Sequence, residues 1–446
     1  MSTLSGLKLL TLIFIMMPGN FDSTPLEDVC VALNAQGDTI FLDLLGKQYS
    51  DFRVPFSRQE VEQALEDYAS NQIGVDPLVA FGSTLFNALF AAERGRIFWE
   101  FLGRVTRDNQ ALRLRILTNL ERTQHLPWEL LYDGSRSDFV ALSGRMALVR
   151  TRPDGYNRTA SMAALPSLRV LAATADIDAR LEAEADLAAL QTLAQAQPQR
   201  LQLQTLPSAT KSSLKKALST QKFDVFVFFG AGALLPDISK AGGLRQELQL
   251  IAENDADDGR LNRNKLGEDL RRAGVRLALL DGDDSDWVAR SLAKHIPASI
   301  GFRETTRRDT RRVVADALFR ALLVGQPLDM AVTAARQAID RAEPGSGEWC
   351  RLIFFMQPLD GGFLLAPLPP AEVPRPQTPP SVPSREVAKL TRLREVYQTN
   401  LDALERNAVA RRDEAWREQA EALREKVDTL SRQIDAAEGS GTRDGT

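Results

Sequence analysis

The chain has 446 residues, of which 44% are hydrophobic and 26% are charged, as is usual for a globular protein. Its formal net charge of -4 argues against a nucleic-acid-binding protein, because such proteins need a basic surface. The sparse cysteines, Cys30 and Cys350, exclude a disulfide scaffold and favour a reducing compartment, so we expect a cytoplasmic protein.

The N-terminal extension, residues 1–24, contains one apolar stretch at 7–17. At about a dozen residues this stretch is too short to cross a membrane as a helix, so membrane association is not expected. The residues that follow, 18–21, provide no small-residue cleavage site for a signal peptidase. A signal-peptide core, a buried strand and an upstream extension therefore all stay open for this segment.

Residues 25–160 are predicted to form an N-terminal part that contains a β-hairpin and several helices. Ser57, with Glu60 three residues later, is typical of a capping box that starts one of these helices. Alternating apolar residues predict the strands, and apolar residues at three- and four-residue steps predict the helices. The predicted elements are hairpin strands at 29–33 and 39–45, two helical stretches within 77–106 and a strand at 112–117.

In residues 161–366, strand-like runs alternate with amphipathic helices, which is typical of a parallel sheet covered by helices. Continuous apolar runs such as 225–229 fit strands that are buried on both faces. We therefore predict an α/β fold with helices on both faces of the sheet. Ligands in such folds bind at the carboxyl ends of the strands, so the loops after Phe229 and Leu280 form the candidate site. The predicted strands are 168–173, 201–206, 223–229 and 275–280, and the predicted helices are 181–196, 208–219, 263–273 and 287–294.

Residues 367–384 form a predicted linker, because eight prolines between 367 and 383 favour extended polyproline geometry. Ser384 then caps a predicted helix over 385–438. Its apolar residues predict a coiled-coil seam, which binds a protein partner or a second copy of the chain. A helix that folds back onto its own domain is the alternative. The seam residues are Leu390, Leu393, Tyr397, Leu401, Leu404, Trp416, Leu423, Val427, Leu430 and Ile434.

Several segments between residues 28 and 366 resemble, in the expected order, the CHAT family of caspase-like peptidases from bacterial conflict and signalling systems. The resemblance implies a caspase-like sheet with helices on both faces. It also leads us to expect Trp128, which is flanked by leucines, to be buried where the N-terminal region meets the sheet. The segments are 126–133 (LPWELLYD), 139–142, 148–150, 277–280, 296–302, Asp309, 317–325, 331–336 and Trp349.

The resemblance also locates two catalytic positions, a histidine after one strand and a cysteine after the next main strand. In the matching segments, 228–232 (FFGAG) and 280–285 (LDGDDS), these positions are Ala231 and Asp283. Alanine cannot accept a proton, and aspartate is a poor nucleophile toward amides. The resemblance therefore implies a catalytically inactive pseudoprotease, which we expect to be a scaffold or regulatory subunit of a bacterial defence or signalling complex.

An active cysteine peptidase with an unrecognised dyad is the first alternative function. Such a dyad would combine Cys30 or Cys350 with His125 or His295. These four residues lie far apart along the chain and offer no metal-ligand spacing, and no cofactor is predicted.

A metal-assisted hydrolase is the second alternative, because Asp281, Asp283 and Asp284 provide clustered carboxylate oxygens. The other interpretation of this acidic run is a solvated loop in which an aspartate caps the helix at 287–294. The basic run that follows, 303–312, is interpreted as a solvated helix face.

Overall fold

The computed structural model divides the chain into two units, residues 1–368 and 369–446. The predicted apolar stretch at 7–17, the linker beyond residue 367 and Ala231 lie outside the described residues. So do the seam residues Leu390, Leu393, Tyr397, Leu401, Leu404, Trp416 and Ile434. The described residues are 26–36, 39–57, 59–61, 63–64, 75–108, 110–118, 120–153, 162–175, 180–230, 232–237, 243–254, 257–303, 308–358, 362–367, 391, 394, 398, 421 and 423–433.

The first unit is built around a central sheet of eleven strands. The strands in chain order are β1 (Glu27–Gln36), β2 (Thr39–Leu44), β3 (Lys47–Tyr49), β4 (Leu112–Thr118), β5 (Tyr132–Asp133), β6 (Asp138–Phe139), β7 (Met146–Thr151), β8 (Leu168–Thr174), β9 (Leu201–Leu206), β10 (Val225–Phe229), β11 (Gly232–Asp237), β12 (Gly243–Gln249), β13 (Arg260–Asn262), β14 (Leu277–Asp281), β15 (Ala298–Phe302) and β16 (Leu352–Met356). The central sheet has the order β3-β2-β1-β4-β7-β16-β15-β14-β10-β8-β9, while β11, β12 and β13 form a small sheet and β5 pairs with β6.

Helices connect most of these strands. They are α1 (Val75–Leu89), α2 (Ala92–Arg107), α3 (Glu121–Gln124), α4 (Arg180–Ala196), α5 (Lys211–Thr220), α6 (Arg263–Ala273), α7 (Asp286–Leu292), α8 (Arg308–Leu323) and α9 (Leu328–Ala342). Single 3-10 turns occur at Trp128–Leu130, Val140–Leu142 and Glu348–Arg351. In the part of the chain that the structure describes, no helix is both long and apolar enough to cross a membrane.

Residues along the buried strands alternate between two hydrophobic cores. Val225 and Val227 point into a core shared with α4, α8 and α9. Phe226 and Phe228 point into a second core shared with α5, α6 and α7. The predicted α/β fold with helices on both faces of the sheet is therefore confirmed.

Nine of the eleven strands of the central sheet form two blocks of parallel strands, and β2 and β3 add an antiparallel edge next to β1. One block contains β1, β4, β7 and β16, and the other contains β15, β14, β10, β8 and β9. The blocks meet where β15 and β16 pair in antiparallel fashion, with Ala298 opposite Met356. The prediction of a parallel sheet is wrong at this pair. The antiparallel pairing results from the connection between β15 and β16. This connection contains α8 and α9, which are joined by a short loop and pack together, so the chain returns in the opposite direction.

The local predictions for the N-terminal part are confirmed. β1 and β2 form the expected hairpin, with Gln36 opposite Thr39. The capping box is also present, because the Ser57 amide donates to Glu60 Oε2 at 2.6 Å and the Glu60 amide donates to Ser57 Oγ at 3.2 Å.

One helix of the α/β region begins later than predicted. The helix expected from Ser208 begins at Lys211, after the N-cap Thr210.

In the second unit, residues 423–433 are helical. Leu423 and Val427 are half-buried, and Leu430 is buried within the single chain. This part of the predicted seam is thus partly covered without a second molecule.

Candidate functional site

The two candidate loops lie side by side at one edge of the sheet. β10 and β14 are neighbouring parallel strands, with Phe229 opposite Asp281. Beyond the strands, the Gly230 amide donates to the Asp281 carbonyl at 3.1 Å. This edge therefore holds Asp283, which occupies the position that the resemblance assigns to a cysteine. The histidine position, Ala231, is outside the described residues.

Ser285 fixes the acidic loop that follows β14. Its Oγ donates to the Leu280 carbonyl at 2.8 Å and accepts from the Phe302 amide at 2.9 Å, so one buried hydroxyl joins the ends of β14 and β15. The loop lies directly on β15, because Gly301 has no side chain. A Cβ at Gly301 would lie 2.7 Å from the Ser285 carbonyl oxygen, closer than real Cβ atoms approach.

The expectation that an aspartate caps the following helix is wrong. The helix α7 starts at Asp286, and its N-cap is Ser285, whose side chain makes no capping hydrogen bond because it is engaged by the strand ends. Asp284, just before it, has a φ of 51°, in the left-handed region that aspartate tolerates better than most residues. Among the described residues, no group of three or more His, Cys, Asp or Glu side chains is placed to hold a metal ion.

Of the two cysteines, Cys350 lies at this edge, because β16 runs antiparallel to β15 and begins where β15 ends, with Leu352 opposite Phe302. Cys350 belongs to the 3-10 turn before β16 and is 2% exposed, and burial raises the pKa of its thiol to about 12. It therefore stays protonated at neutral pH, whereas a nucleophile needs the thiolate. Cys30 is on β1, and four strands separate β1 from β14. At the usual strand spacing this separation corresponds to about 24 Å.

The histidines occupy other places. His295 follows the end of α7 and packs against Gly267 of α6, and burial lowers the pKa of its imidazole. His125 lies before the LPWELLYD segment, and its ring centroid is 5.3 Å from that of Trp287.

Trp128 of the LPWELLYD segment is fully buried, as predicted. Its Nε1 donates to the Thr123 carbonyl at 3.0 Å, and its 3-10 turn contacts α1. Gly82 makes this contact possible, because a Cβ at that position would lie 2.0 Å from the Leu130 carbonyl oxygen. The tryptophan thus joins the N-terminal helices to the sheet.

The same segment supplies a buried carboxylate, Glu129. Arg150 Nε donates to Glu129 Oε1 at 2.9 Å, and Arg336 Nη2 lies 3.9 Å from that oxygen. Burial alone would raise the pKa of Glu129, but the attraction of Arg150 and Arg336 outweighs burial, so this pKa lies below its ordinary value. Three of the segments that resemble the CHAT family therefore meet in one charged network.

Comparison with known proteins agrees with this organisation. The sequence model of the CHAT domain matches residues 79–378, about two thirds of the 446 residues. The chain belongs to the CHAT domain family. The strands β1 to β3 precede the matched region, although they extend the same sheet.

Among solved structures, the CHAT protein is similar to the Arg-specific cysteine proteinase gingipain R (RgpB), with a TM-score of 0.43 and 8% identity over 78% of this chain and 80% of that one. It is also similar to Saccharomyces cerevisiae separase in two separase-securin structures, with TM-scores of 0.34 and 0.35 and 10% identity in both. Those matches cover 55% and 68% of this chain but only 15% and 23% of the other chain. No curated protein sequence matches it.

A pocket of the CHAT domain opens between α7 and the first block of strands. Its floor includes Arg150 with its register partners Ile116 on β4 and Phe355 on β16. Its empty space is about 510 Å³, part of which is open to solvent. The walls include His125, Asp286, Trp287, Arg290 and Arg303.

Asp286 is the acidic group of this pocket. It is 7% exposed, and Arg303 Nε lies 3.8 Å from its Oδ2, which is longer than a hydrogen bond. Burial raises the pKa of Asp286 to about 6, although Arg303 and Arg150 both lower it. The carboxylate is therefore held beside its arginine without direct hydrogen bonding between the two atoms.

The sequence did not reveal this pocket. Arg303 was interpreted as part of a solvated helix face, which is wrong, because α8 begins at Arg308 and Arg303 is half-buried at the end of β15. Its Nη1 donates to the His125 carbonyl at 3.4 Å. The lining residues come from separate segments that only the folded sheet brings together, so no motif spacing marks them.

Proposed function

We propose that this CHAT protein does not hydrolyse peptides and serves as a scaffold or regulatory subunit of a bacterial defence or signalling complex. The observation that carries the proposal is the position of Asp283. It follows β14, beside the end of β10, where the resemblance to active CHAT peptidases places the cysteine nucleophile. A carboxylate there lacks the nucleophilicity of a thiolate.

The properties of the remaining thiols support the same conclusion. The Cys350 thiol is buried and protonated, and Cys30 is separated from β14 by four strands. A caspase-type mechanism needs a thiolate and a base that are within hydrogen-bond reach of each other and of the substrate. The bacterial complex is suggested by the family resemblance, which implies conflict and signalling systems.

A thiol-directed peptide probe tests the absence of a nucleophile. We expect no covalent labelling of the wild-type chain and no self-cleavage, as measured by mass spectrometry of the intact protein. The double variant Ala231→His with Asp283→Cys is the matched control, because it places a thiol at the end of β14 and should be labelled. Specific labelling of wild-type Cys30 or Cys350, lost on changing His125 or His295, would overturn the proposal.

The C-terminal seam is the proposed contact with the protein partner or a second copy. Leu423 and Val427 of this seam are only half-buried in the single chain, and another helix would cover the rest of their apolar surface. The double variant Leu423→Asp with Leu430→Asp should abolish the association, since charges in a covered apolar seam are costly. Light scattering and pull-down from the native host measure the effect.

Thr429→Asp with Gln433→Asp is the matched control on the same helix, because both residues are exposed. This variant should associate like the wild-type chain. Equal association of both double variants would mean that another surface recruits the partner. Loss of association in both would mean that the charge of the helix, and not its seam, is recognised.

A further inference from the structure

The two edge strands of the central sheet differ in how they resist pairing with another strand. At one edge, β3 has only three residues, and one of them, Lys47, forms an ion pair with Glu93. Short edge strands and edge lysines are common devices against pairing between sheets. At the other edge, β9 (LQLQTL) has six residues and contains neither a charged residue nor a proline. The sequence of β9 therefore provides none of these devices.

The outer side of β9 presents backbone groups that no strand within the described residues pairs with. The Leu168 amide of β8 donates to the Arg200 carbonyl at 2.8 Å, just before β9 begins. Alternate residues of a strand direct their backbone groups to opposite sides, so counting from Arg200 assigns the outward groups to Leu201, Leu203 and Thr205. Leu203 and Thr205 are only half-buried, so these groups are accessible.

The side chains of β9 divide between the two faces of the sheet. Leu201 and Leu203 contact the core shared with α4, α8 and α9. Gln202 and Gln204 lie on the other face, where Gln202 is exposed and Gln204 is half-buried. The best match for this edge is an uncharged strand that has apolar side chains on the first face and polar ones on the second. The strand β9 itself has this composition.

We propose that β9 pairs in antiparallel fashion with β9 of a second copy of the chain, about a two-fold axis at Leu203. The axis is perpendicular to the sheet, so like faces of the two copies adjoin. Leu203 then lies opposite Leu203 of the second copy, Gln202 opposite Gln204, and Leu201 opposite Thr205.

The outward backbone groups fit this register. The Leu203 amides and carbonyls of the two copies exchange hydrogen bonds, and the Thr205 amide donates to the Leu201 carbonyl of the second copy. The Leu201 amide is not needed, because it already donates within its own chain. The pairing joins two central sheets into one. This inference is independent of the proposed function, since it requires neither an inactive domain nor the C-terminal seam.

Disulfide cross-linking of the full chain tests the register. Leu203→Cys should give a covalent dimer on a non-reducing gel after mild oxidation, because opposed Cα atoms in a hydrogen-bonded pair are about 5.5 Å apart. Gln202→Cys is the matched control, since its two Cα atoms would be roughly 8 Å apart, too far for a disulfide. Gln202 is the more exposed of the two residues. More efficient cross-linking of Gln202→Cys would therefore indicate random collision and overturn the proposal.

Charge substitutions at the same positions measure the association itself. The parent is the full chain with Leu423→Asp and Leu430→Asp, which removes the seam as another contact, and we expect sedimentation to show a concentration-dependent dimer. Gln202→Lys with Gln204→Lys places like charges opposite each other and should weaken this dimer about tenfold. Gln202→Glu with Gln204→Lys is the matched control, because it places opposite charges there and should dimerise at least as well as the parent.

Equal association of the two charge variants would overturn the proposal, because it would mean that the pairs at Gln202 and Gln204 do not form. A parent that stays monomeric at every concentration would overturn it as well. If such a monomer instead pairs through β9 with a strand of a host protein, the edge belongs to that partner and not to a second copy.

Discussion

Two regions of the CHAT domain hold their charged residues in different ways. Around Trp128, the carboxylate of Glu129 lies between Arg150 and Arg336 in the interior, and its pKa is lowered. At the edge of the sheet, the loop after β14 contains Asp284 in a left-handed conformation, and it ends at Asp286, whose pKa is raised to about 6. The first region stabilises the ionised form of its carboxylate, whereas the second destabilises it.

The difference follows from what each region does for the fold. The network around Glu129 joins a 3-10 turn, a strand of the first block and α9, so its charges are needed to hold three elements together. The acidic loop is held by Ser285 and Gly301 instead, through a hydroxyl and the absence of a side chain. A buried hydroxyl and a close backbone contact therefore hold this loop on β15. If the chain is inactive, as proposed, the side chains at the catalytic position can change while these contacts keep the loop in place.

The largest expected effect is at Glu129. Glu129→Gln keeps the shape of the side chain but leaves Arg150 and Arg336 buried without their carboxylate, and breaking a buried ion pair costs about 3–5 kcal/mol. The free energy of unfolding in denaturant measures this loss at neutral pH. Because the pKa of Glu129 is lowered in the folded state, its contribution is present at neutral pH and is lost as the pH falls through that lowered value.

Glu93→Gln is the control for this prediction. Glu93 pairs with Lys47 at 2.5 Å, but both side chains are about half exposed, so solvent screens the pair and the unfolding midpoint should hardly move. Similar losses in both variants would show that the buried network is no stronger than a surface pair.

Asp286→Asn should increase the free energy of unfolding, whereas Glu129→Gln decreases it. The folded-state pKa of Asp286 is about 6 against its ordinary 3.8, which corresponds to roughly 3 kcal/mol of destabilisation once both states are ionised. An amide avoids this cost, so the variant should be more stable than the wild-type chain at pH 8. The advantage should shrink as the pH falls through 6 and disappear near pH 4, where the wild-type carboxyl is protonated in the folded state and increasingly so in the unfolded state.

Thermal unfolding of both proteins between pH 4 and pH 8 measures this prediction. A wild-type chain that is the more stable of the two at pH 8 would mean that Arg303 stabilises the carboxylate of Asp286. The contrast between the two regions would then be lost.

Gly82→Ala tests the close contact between α1 and the 3-10 turn that carries Trp128. The added Cβ would lie 2.0 Å from the Leu130 carbonyl oxygen, so α1 must move away from the turn that carries Trp128, and overpacking of this kind costs about 1–3 kcal/mol. Gly103→Ala on α2 is the matched control, because its Cβ meets nothing within 4 Å. Alanine should stabilise α2 there by about 1 kcal/mol. Destabilisation of similar size in both variants would argue against a specific contact at Leu130.

The strand β4 shows how far the sequence predicted the fold. The alternation at 112–117 correctly predicted a strand, but alternation usually marks one face in water. Arg113 and Arg115 are instead fully buried. Arg113 Nε lies 2.5 Å from Asp329 Oδ2, and Arg115 Nη1 donates to the Met356 carbonyl, partners 216 and 241 residues away. A local pattern cannot contain such partners, so the burial of these arginines was not predictable.

Only part of the candidate site could be predicted from the sequence. The edge at Phe229 and Asp281 was predictable, because strand-helix alternation makes β10 and β14 parallel and brings their carboxyl ends together. The pocket was not predictable, because it depends on the position of β16 in the sheet. This strand pairs antiparallel with β15 and parallel with β7, where Phe355 lies opposite Arg150. The antiparallel pairing follows from the two helices, α8 and α9, in the connection between β15 and β16, and no local pattern in the sequence specifies the direction in which β16 returns.

The smallest expected effect distinguishes two neighbouring aspartates of the acidic loop. Asp284 has a φ of 51°, whereas Asp283 is not among the residues with positive φ. Glycine has no Cβ and adopts positive φ without strain, but it adds conformational freedom to the unfolded chain. Asp284→Gly should therefore stabilise the domain slightly, by about 0.5 kcal/mol, and Asp283→Gly should destabilise it by about the same amount. Parallel denaturant titrations of the two variants measure these changes. If both variants change the free energy of unfolding in the same direction, the left-handed conformation of Asp284 does not strain the loop. The destabilisation at this edge then comes from the buried carboxylate of Asp286 alone.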